Sequence, residues 1–136
     1  MRFQYTPVPN LPGIMMPRLS LTLHREGYSV EVVGLLDTGV AVSVLPYSVG
    51  LALGAVWEEQ TTPIPLVGSL GRKEARALVT TARHPQLAHD GEVRLIFAWS
   101  QDEDAPIIFG QTNFFLEFDV CFYLSQGVFE VQRKSR

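Results

Sequence analysis

Hydrophobic and polar positions alternate through most of this chain, and the alternation has the period of a strand rather than of a helix. Residues 17–24 place Leu19, Leu21 and Leu23 on one face and Arg18, Ser20, Thr22 and His24 on the other, the pattern of a half-buried strand. Arg25, Glu26 and Gly27 supply a turn, and residues 28–36 resume strand character with β-branched Val30, Val32 and Val33, so the two runs predict a hairpin. Residues 42–45 read as a short buried strand. Residues 46–53 read as a short helix, with Pro46 in its first turn and Gly54 just past its end. Residues 56–60 start a further strand.

Residues 63–81 predict a hairpin with a glycine-rich tip, because Gly68 and Gly71 flank Ser69 and Leu70 between strand-like runs. A polar loop over 84–91 leads into a strand at 92–99, with Val93, Leu95, Phe97 and Trp99 on one face. The acidic loop 101–104 ends at Pro106. Ile107, Ile108 and Phe109 form a short, fully apolar strand stopped by Gly110. Residues 111–117 fit one or two helical turns, and 118–124 and 127–131 read as strands joined by Ser125 and Gln126. Pro7, Pro9, Pro12 and Gly13 break up the start of the chain, so 1–13 is expected as an irregular arm or an edge strand. The basic residues 132–136 are expected as a frayed tail. Many short strands with one or two short helices predict an all-β, barrel-like or sandwich domain.

Composition narrows the picture without naming a function. With 136 residues, 46% of them hydrophobic and 18% charged, the chain is long enough for a single domain over 1–136 with its own core. A formal charge of -3 argues against general nucleic-acid binding. No run is long and apolar enough to span a membrane, and the first residues carry no apolar secretory segment. The lone cysteine, Cys121, leaves no internal disulfide, so a cytoplasmic setting is the expectation. His24, His84 and His89 lack metal-ligand spacing, and there is no Gly-x-Ser-x-Gly elbow, P-loop or dinucleotide fingerprint. Neither a metal nor a cofactor is expected.

One carboxylate stands out. Asp37 lies between Leu35-Leu36 and Val40-Ala41-Val42, where a charged group is costly unless it is paired or used. Asp-Thr-Gly on its own is an ordinary turn sequence. Its flanks are more specific: two apolar residues before Asp37-Thr38-Gly39, Ser43 six residues after the Asp, then Val44-Leu45-Pro46. This stretch resembles the active-site loop of retropepsin-like aspartic proteases. Two further stretches match in order. Val67-Gly68-Ser69-Leu70-Gly71 looks like the glycine-tipped flap of that family. Ile107-Ile108-Phe109-Gly110 looks like the apolar strand beside its catalytic loop, and a helix follows over 114–118. The resemblance covers roughly residues 17–124.

The resemblance implies an all-β, closed acid-protease barrel with one or two short helices. It implies Asp37 as the catalytic carboxylate, supported by Thr38, Gly39 and Ser43. Val40, Ala41, Val67, Gly68, Ser69, Leu70, Gly71, Ile108 and Gly110 would contact an extended peptide. Amide hydrolysis by two carboxylates needs a pair sharing one proton, since like charges about 3 Å apart do not both ionise. The chain has one such motif, so the expected enzyme is a homodimer with both Asp37 side chains on the two-fold axis. In the family the Thr of the motif hydrogen-bonds across that axis, which would be the role of Thr38. The sequence departs from the family at Val40, where Ala or Ser is usual; its extra methyls lie beside the substrate backbone. The alternative reading is a protease-fold dimerisation or peptide-binding module with little or no turnover.

Overall fold

A computed structural model describes residues 1–66, 74–87 and 92–134. Within these the chain forms a closed β-barrel with a small sheet packed at one end. The strands are β1 (Arg2–Gln4), β2 (Thr6–Pro7), β3 (Met15–Met16), β4 (Arg18–Arg25), β5 (Tyr28–Leu36), β6 (Ser43–Leu45), β7 (Pro63–Pro65), β8 (Glu74–Arg83), β9 (Val93–Ser100), β10 (Ile108–Phe109), β11 (Phe118–Tyr123) and β12 (Val128–Arg133). The helices are α1 (Tyr47–Ala52) and α2 (Phe114–Glu117). The main sheet runs β4-β5-β10-β6-β9-β8-β7, and β8 also pairs with β4. That last contact, Thr22–His24 against Arg83–Thr81, closes a six-strand ring and leaves β7 as an extension paired to β8.

The alternation in β4 works as expected: Leu19, Leu21 and Leu23 are buried while Ser20 is exposed. The β4–β5 hairpin turns at Glu26 and Gly27, both at positive φ. Strand β9, paired with both β6 and β8, buries apolar side chains on both faces. Leu95, Phe97 and Trp99 enter the main core, and Ala98 enters a second, smaller cluster with Val44, Leu66, Ala75 and Ile108. The main core is rich in aromatic rings: Phe109 stacks on Phe114 at 5.3 Å and Phe114 on Phe118 at 4.7 Å. Such ring pairs add specific geometry to the burial of apolar area.

Three local expectations need correction. Residues 56–60 hold a single 3-10 turn, Trp57–Glu59, and no strand. Trp57 turns inward against Trp99 and beneath Arg76, whose guanidinium lies 4.4 Å from its ring and donates to the Trp57 carbonyl at 2.8 Å. That anchor outweighs the β propensity of the segment. The helix expected over 111–117 shrinks to Phe114–Glu117, because the backbone of 111 and 112 is taken up by pairing with the Asp37 loop. Of the two alternatives for the start of the chain, the edge strand is the one formed: β1 pairs with β12 and Phe3 stacks on Phe129 at 5.4 Å. The prolines mask this from sequence, since they fall after β1. The basic tail is likewise shorter than expected, as Gln132 and Arg133 pair with Asp119 and Phe118.

Candidate active site

Strand β5 delivers Asp37 at its end, and the late segment 107–112 holds it there. Parallel pairing of β10 with Leu35 and Leu36 continues into the loop: the Asp37 N–H donates to the Phe109 carbonyl at 3.1 Å. On the far side of the turn, the N–H groups of Gln111 and Thr112 donate to the carbonyls of Val40 and Ala41, each at 2.9 Å. The Ser43 N–H then donates to the Thr112 carbonyl at 2.9 Å. Both arms of the loop are therefore bonded through their backbone to one facing segment, 109–112, which fixes its shape.

Within that frame, Asp37 is half-buried and Thr38 and Gly39 are exposed. The Gly39 N–H donates to Asp37 Oδ1 at 2.9 Å, the side-chain turn for which Asp is suited. The described glycines at positive φ are Gly13, Gly27, Gly54 and Gly127, so Gly39 is not needed in this turn for its φ. Its service is spatial instead: a Cβ there would sit 3.2 Å from Asp37 Oδ1. Among the described residues Asp37 forms no ion pair, so the carboxylate keeps further acceptor capacity.

Ser43 and Gly110 lock the two arms together. Ser43 is fully buried, and its hydroxyl oxygen accepts the Gly110 N–H at 3.0 Å. A Cβ on Gly110 would lie 2.5 Å from the Val42 carbonyl oxygen and 2.7 Å from that of Val40, so only glycine permits this approach. Ile108 is 4% exposed and belongs to the smaller apolar cluster, against which Val40, Val42 and Ile64 pack. Val40 is half-buried and Ala41 exposed. Val67, Gly68, Ser69, Leu70 and Gly71 lie outside the described residues.

Two residues enter the site that the sequence reading did not single out. Gln111 Nε2 donates to the Thr38 carbonyl at 2.6 Å, tying the tip of the Asp37 turn to the segment after Gly110. Asn113 bridges to β9: its Oδ1 accepts the Ile96 N–H at 2.9 Å and its Nδ2 donates to the Arg94 carbonyl at 2.8 Å. Neither carries a periodicity or spacing signal, because each works through side-chain bonds to residues distant in sequence. Among the described residues no group of His, Cys, Asp and Glu could hold a metal ion.

No protein-family model matches the chain, and no curated protein matches it. Among solved structures it is similar to a retroviral protease, "EIAV protease complexed with the inhibitor HBY-793". The TM-score is 0.50 and the sequence identity 21%, covering 77% of this chain and 88% of that one. The fold is thus a retropepsin-like β-barrel, and this likeness speaks to the fold alone.

Proposed function

We propose that the chain is an aspartic endopeptidase that works as a homodimer and hydrolyses extended or unfolded polypeptide. One observation carries the reading: Asp37, alone in an apolar run, ends a barrel strand in a turn shaped by Gly39, Ser43 and Gly110, on a barrel shared with a retroviral protease. Two Asp37 carboxylates meeting on a two-fold axis would share one proton. The ionised member takes a proton from the attacking water, and the protonated member donates to the scissile carbonyl. Thr38 would brace the pair across the axis, and Val40, Ala41, Ile108 and Gly110 would border the substrate backbone. The tip residues 67–71 would close over it and exclude water. Main-chain hydrogen bonds would hold the substrate as an added strand.

Asp37→Asn tests the reading: peptide cleavage is lost while the thermal unfolding transition stays within a few degrees of wild type. Activity that survives the substitution in a clean preparation overturns it. The shared proton also predicts a bell-shaped pH–rate profile whose two limbs belong to the pair. A specific observation favours a second reading, a peptide-binding module of the same fold. Val40 packs its methyls into the smaller apolar cluster at the site, where a smaller residue leaves more room for substrate. Binding of a hydroxyl-bearing transition-state peptide mimic without turnover of a broad peptide library identifies that case.

A further inference from the structure

A hairpin stands off the barrel beside the strand that carries Asp37. Strands β2 and β3 pair Thr6 with Met16 and Pro7 with Met15. Its tip is bonded to itself: the Val8 N–H donates to the Ile14 carbonyl at 2.9 Å, and the Ile14 N–H to the Leu11 carbonyl at 3.1 Å. Asn10 and Gly13 take the positive φ that these bends require. Every residue over 9–16 is exposed, and Pro17 is buried. Pro17 is the root of the hairpin, since its carbonyl accepts the N–H of Leu36, the residue before Asp37, at 2.9 Å. The surface so presented is apolar and uncharged. Leu11, Ile14, Met15 and Met16 are all between 37% and 52% exposed, and residues 3–17 contain no charged side chain. Contiguous exposed apolar surface marks a contact site, and methionine adapts to varied partners. The backbone is open as well. Arg18 Nη1 donates to the Pro7 carbonyl at 3.0 Å, on the side away from β3. In the same register Met15, opposite Pro7, turns its N–H and C=O away from β2, where they meet no partner among the described residues.

We infer that this hairpin is a substrate-gripping arm, which takes an uncharged, apolar stretch of the extended polypeptide, away from the scissile bond, as a strand added along Met15. This deepens the proposed function, since it rests on the reading of Asp37 as the cleavage site and adds the class of sequence selected. Continuity with that site argues for substrate as the occupant. The residues that border the substrate backbone in that reading, Val40, Ala41, Ile108 and Gly110, are uncharged like the arm. The arm is rooted on Leu36, and the charge at its base, Arg18, is turned onto the Pro7 carbonyl. A polypeptide leaving the site on this side meets apolar side chains and an open strand edge. The edge supplies main-chain bonds and the side chains supply selection. At about 3.3 Å per residue, the stretch from Leu11 to Met16 spans about 20 Å, so the arm reads several substrate positions and not one.

Two peptides that share the residues around the cleaved bond and differ in their flanks test this, one flanked by Val, Leu and Thr, the other by Asp and Glu. Wild type is expected to show a kcat/KM about tenfold higher for the uncharged flanks. Met15→Lys, at an exposed position, is expected to shift that ratio toward the acidic flanks by about tenfold. Leu11→Lys is expected to shift it in the same direction and serves if the first variant folds poorly. The ratio cancels any change in the folded or dimeric fraction, so a merely structural role of the hairpin leaves it unmoved. A wild type that cleaves both peptides equally, or a ratio unmoved in both variants, overturns the inference and leaves the protease reading in place; a weaker dimer in sedimentation with that unmoved ratio assigns the hairpin to contact between copies. Fluorescence anisotropy of the same peptides, labelled, on Asp37→Asn with and without Met15→Lys reads binding apart from cleavage. If wild type cleaves neither peptide, the protease reading falls and anisotropy decides: a preference for uncharged flanks that Met15→Lys removes keeps the arm, and equal binding or none overturns it.

Discussion

At the scale of single residues, two atoms decide whether the Asp37 loop can close. The Gly110 α-carbon faces two carbonyl oxygens at distances no Cβ tolerates. Gly110→Ala is expected to cost about 1–3 kcal/mol, as overpacking does, and to lower cleavage further than stability explains. Urea denaturation set beside kcat/KM checks both parts. Ser43→Ala leaves the Gly110 N–H buried and unpaired, so a loss of about 1–3 kcal/mol is expected in the same assay, and Ser43→Thr should recover part of it. Asp37 was legible in the sequence because a charged residue in an apolar run is itself a signal, and Ser43 because its place six residues on matches the loop that the stretch resembles. Gln111 was not, since its amide reaches back to Thr38 across about 70 residues of chain and no local pattern records that.

His84 supplies a pH dependence at the same scale. Its ring meets the Phe3 ring edge-on at 5.5 Å, and partial burial lowers its pKa from 6.5. The unfolded chain therefore takes up the proton at higher pH than the folded one, so stability falls as pH drops below about 6.5. Urea midpoints at about pH 5.5 and 7.5 are expected to differ more in wild type than in His84→Gln. An equal difference in the two proteins refutes the assignment.

At the scale of elements, the strands with clean alternation were readable and those fixed by distant partners were not. Leu19, Leu21 and Leu23 announce β4 because one face meets core and the other solvent. Residues 56–60 carry strand-like residues, yet Trp57 folds inward as a 3-10 turn because Trp99 and Arg76 wait for it. Strand β10 is two residues long and was visible only through its apolar run and its glycine. Asn113 shows how such a short element is held in place, since its amide bonds both sides of a peptide gap in β9. Asn113→Ala is expected to loosen α2 from the barrel at a cost of about 1–3 kcal/mol. Faster amide hydrogen exchange at Ile96 and across residues 114–117 is the measurement.

At the scale of the whole molecule, the ring closes through the pairing of Thr22–His24 with Thr81–Arg83. Nothing local in either stretch indicates that partnership, which is why barrel and sandwich were both open until the resemblance was considered. The N-terminal edge strand has a similar standing: β1 covers Phe129, and Tyr5 is 8% exposed. Removing residues 1–5 is expected to cost at least about 2–3 kcal/mol through lost aromatic burial alone. The truncated chain should also bind a hydrophobic dye more strongly than the full chain.

The insertion of β10 between β5 and β6 sets a clock on synthesis. Strands β5 and β6 flank the Asp37 turn, but the segment that clamps it is encoded about 72 residues later. At roughly 5–20 residues per second, a ribosome needs roughly 4–14 s after reaching Asp37 before Phe109 exists. During that interval the nascent chain can build the β4–β5 hairpin while the carboxylate has no fixed setting. The site is therefore assembled only after Phe109 has been translated, and a chain released before that point would carry the Asp37 motif without the scaffold that shapes it.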